Sequence, residues 1–147
     1  MALIITIANL KTHIHDEARD EITREDAEIT QEAIDAGIAE AKGFMSKYDL
    51  PALFGTAAVN ATINDANLRA KVKDLIRWHL VLLGVPDIDY DDAQTRYKYA
   101  IEHYFVLIQN GKITPEGWPF HNTELDPKPP QGDDISYSSN RKRHNHF

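Results

Sequence analysis

Between Asn64 and Val85 the chain reads NDANLRAKVKDLIRWHLVLLGV, and Leu68, Val72, Leu75, Ile76, Leu80 and Leu83 recur at helical spacing. That pattern predicts a central helix with one apolar face, to which His79 adds an amphipathic ring. Arg69, Lys71, Lys73 and Asp74 fall on the opposite, polar side. The last turn, Leu80 to Leu83, is apolar all round and is therefore expected to be covered on every side. A helix of this kind needs neighbours to cover it.

Two segments supply them. The first helix is expected from about Glu25 to Tyr48, where Ile34, Ile38, Ala41, Met45 and Tyr48 step by three or four, and where Thr23 and Asp26 have capping-box spacing. Ala33, Ala36, Gly37, Ala39 and Ala41 keep it thin enough for another helix to approach closely. Pro51 ends it, since the residue before a proline is pushed out of the helical region. Ala52 to Ile63 reads as a loop with at most a short helical turn. The third helix is expected from Tyr90 to Asn110, with Gly111 at its C′ position and Asp87, Asp89, Asp91 and Asp92 complementing the dipole at its start. At the N-terminus, Leu3 to Ile7 reads as a short strand or arm, and Thr6 or Asn9 as the cap of a short helix through about Ala18. The predicted fold is all-α: a small antiparallel bundle of three main helices with a short N-terminal helix and a long extended C-terminal tail.

The tail is read from proline placement. Pro115, Pro119, Pro127, Pro129 and Pro130, five of the seven prolines, lie beyond Gly111, which divides the chain into a helical body, 1–112, and an extended tail, 113–147. A segment so poor in apolar residues cannot build its own core. Its isolated anchors make Trp118, Phe120, Tyr137, Arg141, Lys142, Arg143 and Phe147 the candidate partner-binding residues. Docking on a neighbour or partner ranks ahead of docking on the chain's own body.

Charge and composition narrow the function. The formal charge is −7, and Arg141, Lys142 and Arg143 are the only charged residues among the last seven, so the rest of the chain is more acidic still. An acidic body argues against a surface that grips nucleic acid. The absence of cysteine excludes thiol enzymes and thiolate metal sites. No stretch reaches the length of a membrane span and MALIITIANL lacks a basic flank, so a soluble protein made in the cytoplasm is expected.

Seven histidines raise the question of a metal. His13 with His15 and His144 with His146 are paired, but no third ligand lies at a recognisable interval, and neither metal nor cofactor is expected. His79 and His103, placed to meet across the bundle beside Trp78 and Glu102, are the candidate site for the alternative, a small helical ligand- or metal-binding protein or enzyme. A histidine satisfied by a tyrosine or carboxylate is the commoner arrangement. No nucleophile elbow, phosphate-binding glycine loop or zinc-protease motif is present, and no enzyme activity is expected.

Three segments together, AIDAGIAEAKGFMSKYDLPALFG from Ala33, LRAKVKDLIRWHLVLLG from Leu68 and RYKYAIEHYFVLIQNGKIT from Arg96, resemble the head-tail connector (adaptor) proteins of tailed bacteriophages, the Mu-like prophage small structural group. The match runs over roughly Thr23 to Thr114; the tail, ending SSNRKRHNHF, is similar to tails of such proteins from phages of gut Bacteroidales. The resemblance implies a virion structural protein of the neck: a ring of identical subunits, commonly a dodecamer, beneath the portal and joined to tail or neck proteins, with DNA passing through the lumen without specific binding. It transfers no catalytic residues. The tail is longer than the helical core needs.

Overall fold

The computed structural model of the chain describes residues 5–24, 26–83 and 90–122. They form an all-α body; among them the only pairing of extended chain is an isolated antiparallel bridge between Tyr48 and Phe120. A 3-10 helix, Ile7–Thr12, is followed by α1 (Asp16–Thr23), α2 (Ala27–Phe44), α3 (Leu50–Phe54) and α4 (Ala66–Leu83). A last rod comprises α5 (Tyr90–Ala100), a π-helical segment (Ile101–Phe105) and α6 (Val106–Gln109). Among the described residues no helix is long and apolar enough to cross a membrane.

Each helix end has a local cause. Asp26, rather than Thr23, caps α2, its carboxylate accepting from the Glu28 N–H at 2.8 Å. Thr23 instead ends α1 and turns its hydroxyl back to the Arg19 carbonyl at 3.0 Å. Asp65 caps α4 through the N–H groups of Asn67 and Leu68 at 2.8 and 2.9 Å. At the far end of the rod Gly111, with φ of +72°, donates to the Ile108 carbonyl and Lys112 to that of Leu107. That pair of bonds is the glycine-ended stop that the sequence predicts there.

The core is the seam of α2 on α4. Ala33, Ile34, Gly37, Ile38 and Ala41 of α2 are buried against Val72, Ile76 and Leu80 of α4 and their neighbours. Gly37 is where the helices touch: a Cβ added there would lie 2.6 Å from Ile76 Cγ1 and 3.0 Å from the Ile76 nitrogen. The rod closes the core with Ala93, Ala100, Tyr104, Phe105 and Ile108.

Two expectations for the central helix are overturned. Its polar side is not wholly solvent-facing: Lys73 and Asp74 are 8 and 6% exposed and Arg69 and Lys71 are half-buried, and Arg77, the next cation along, is 9% exposed. Apolar residues of the N-terminal region, Ile5, Leu10 and Ile14, are themselves core and bring the 3-10 helix down over this side of α4. Its last turn is not covered all round, since Leu82 and Leu83 remain 54 and 48% exposed while Leu80 and Val81 are buried.

Candidate functional site

The residues expected to open the tail are part of the body. Trp118 is 5% exposed, its ring meeting Tyr48 edge-on at 5.3 Å and its Nε1–H donating to Asp65 Oδ2 at 3.1 Å. Asp65 therefore holds the first turn of α4 with one carboxylate oxygen and the root of the tail with the other. On either side of Phe120 the backbone is pinned, Asp49 N–H to the Pro119 carbonyl and His121 N–H to the Lys47 carbonyl, both at 2.9 Å. Phe120 stacks on Tyr48 at 5.2 Å yet stays 62% exposed. Burial pushes the Tyr48 hydroxyl above its usual range, as expected for a ring enclosed by Trp118 and Phe120. An open groove of about 490 Å³ runs beside this corner, lined by Ile63, Asn64, Asn67, Glu116 and Trp118 among others.

Of the candidate partner residues, then, Trp118 is spent on its own body and Phe120 half so. The packed body runs past the expected division at 112, with Ile113 against the core and Trp118 within it. Tyr137, Arg141, Lys142, Arg143 and Phe147 lie outside the described residues.

His79 and His103 have separate partners. Glu40 on α2 accepts from Tyr97 on α5 at 2.6 Å and lies 2.8 Å from His79 Nε2, a half-buried cluster tying three helices together. Burial and then the bond to Glu40 push the Tyr97 hydroxyl up to about 12, so it stays a donor. Trp78 stacks on Tyr97 at 5.4 Å and meets Tyr90 at 5.2 Å with the rings tilted by 57°. His103, exposed on the π-helical segment, stacks on Tyr99 at 4.5 Å with the rings 7° from parallel. Among the described residues no hydrogen bond or ring contact joins the two histidines.

A second polar cluster lies under the N-terminal 3-10 helix. Lys73 Nζ donates to Thr12 Oγ1 at 2.9 Å, and that hydroxyl lies 2.9 Å from His13 Nδ1 and 3.4 Å from the Asn9 carbonyl. His13 Nε2 faces Asp74 Oδ1 at 3.8 Å, too far for a hydrogen bond, and among the described residues that buried oxygen has no hydrogen-bond partner. Burial, followed by the charges of Lys73, Arg96, Arg77 and Lys71, holds His13 down at about 4. Burial raises Asp74 despite the nearby cations. Among the described residues no group of three or more metal-ligating side chains comes together.

The His13 cluster predicts an acid response. The folded state disfavours the protonated ring, so between pH 6.5 and 4 the unfolded chain binds more protons and stability falls as pH falls. The loss contributed by His13 reaches up to about 3 kcal/mol. Asp74, raised by burial, works in the opposite sense. Chemical unfolding of the wild type and His13→Asn from pH 7 to 4 should show the variant losing less stability over that window; parallel curves would count against a buried neutral His13.

No family model matches the sequence, and neither does any curated protein or solved structure.

Proposed function

We propose that the protein is a virion structural subunit, a head-tail connector that assembles as a ring of identical copies between portal and tail and is made in the cytoplasm of the bacterial host. The observation that carries this reading is the clamp on Trp118. It fixes the root of a long C-terminal segment at one corner of a helical body and leaves Phe120 exposed at the exit. A body that satisfies its own core while dispatching a strap from a fixed point has the parts needed for subunit joining. Residues 123–147 could reach on the order of 80 Å when extended.

The finer architecture of the reading is a three-helix bundle of α2, α4 and the rod. Its antiparallel sense for α4 and α5 is supported by the pairing of Trp78 with Tyr90 and of Lys71 with Tyr99, where positions advance on one helix as they retreat on the other. The acidic composition fits a lumen through which DNA slides without adhering. Portal protein and tail or neck proteins are the other partners.

Deleting the reading frame tests this. The expected result is DNA-filled heads and free tails that fail to join, with tailed particles restored when the intact chain is supplied in trans. Normal yields of tailed, infectious particles from the deletion would overturn the reading.

A further inference from the structure

The end of α4 opposite the Trp118 clamp carries an exposed apolar face. Leu82 and Leu83 are 54 and 48% exposed, Tyr90 is 38% exposed and rests on Trp78, and the exposed carboxylate of Asp91 adjoins them in sequence. Leucines, a tyrosine over a tryptophan, and an acid at the rim make a surface suited to an aromatic peptide carrying positive charge.

The chain itself contains such a peptide. Tyr137 to Phe147 reads YSSNRKRHNHF, three consecutive cations between two aromatic ends, in a protein whose formal charge is −7. We propose that Leu82, Leu83 and Tyr90, with Asp91 beside them, seat the C-terminal segment Tyr137–Phe147 of a second copy. The aromatic ends pack on the leucines and Tyr90, and the basic triplet faces the acidic rim.

The geometry of reach allows it. Across the 18 residues of α4 the clamp and the seat are roughly 27 Å apart. Residues 123–136, extended, cover on the order of 45 Å. A root at one end and a seat at the other make a heterologous contact, the kind that closes into a ring when repeated by rotation. The choice of a second copy over the chain's own segment rests on the ring reading above, since a self-filled seat joins nothing.

The test uses the full chain as an equal mixture of unlabelled and ¹⁵N-labelled protein, treated with a zero-length carbodiimide that couples amines to carboxylates. The expected product joins Lys142 to Asp91 in mixed-isotope form. Its yield should fall about tenfold or more in Leu82→Asp/Leu83→Asp and in Arg141→Glu/Arg143→Glu, the size of loss expected for central contacts. Both substitutions are at exposed or tail positions, and an unchanged helical circular dichroism spectrum verifies folding. A cross-link found only within single-isotope chains, or none at all, overturns the proposal. Closed rings by native mass spectrometry of Leu82→Asp/Leu83→Asp would likewise overturn the seat while leaving the connector reading standing. Normal tailed particles from the gene deletion would fail that reading itself.

Discussion

Trp118→Ala lowers the unfolding free energy by about 3–5 kcal/mol, the range for emptying a buried large aromatic site. The side chain is 5% exposed, and its removal takes away the edge-on contact with Tyr48 and leaves Asp65 Oδ2 without its donor. Trp118→Phe separates the terms: the ring contact is largely kept and the Nε1–H is lost, so the cost drops to about 1–3 kcal/mol. Urea unfolding followed by far-ultraviolet circular dichroism measures both. A Trp118→Ala variant as stable as the wild type would mean that the tail root is a passenger and that the body ends near 112.

Gly37 and Gly43 should respond to alanine with opposite signs, although both lie in α2. Ordinarily the exchange stabilises a helix by about 0.5–1 kcal/mol, because alanine loses less backbone freedom on folding. Nothing lies within 4 Å of a Cβ at Gly43, so Gly43→Ala gains that amount. At Gly37 the new methyl meets Ile76 at 2.6 Å, and two of its nearest atoms are backbone, which cannot rotate aside. α2 and α4 must part along the main seam, costing about 1–3 kcal/mol net. Pairing Gly37→Ala with Ile76→Val removes only Cδ1 and leaves both Cγ1 and the backbone nitrogen in place, so it does not rescue the fold. Thermal melts of the four proteins decide it. A stabilising Gly37→Ala would contradict the close approach on which the core is built.

That approach was legible in the sequence, because small residues spaced along one side of a helix have few other uses. So was the central helix, expected from Asn64 to Val85 and described as Ala66–Leu83, and so was the glycine stop at Gly111. What periodicity could not show was which polar residues would be covered. Lys73 and Asp74 look like a solvated face until Leu10 and Ile14, far away in sequence, bring Thr12 and His13 onto them. The opposite error, expecting Leu82 and Leu83 to be buried, came from treating an apolar turn as a demand for cover within the same chain. In the candidate site the anchors were visible as residue types, but Trp118's partners were not. Asp65 had a signal, an acidic residue just before a helical pattern. Its second role, receiving the Trp118 indole, depends on a contact between positions 53 residues apart. His79 found a carboxylate, the commoner arrangement, in Glu40, which Tyr97 also holds, rather than in Glu102 or His103.

Because the packed body reaches Trp118, a chain cut at Ile113 would lose core residues together with the segment proposed to join subunits. Ending it at Asn122 instead keeps the clamp's contacts among the described residues. The direct measurement is to supply that shortened chain in place of the intact one, determine its unfolding midpoint, and determine by mass spectrometry whether purified particles contain it. The account predicts a midpoint matching the full-length protein and particles that lack the shortened subunit and remain unjoined; a stable shortened chain that enters particles and joins heads to tails would contradict it.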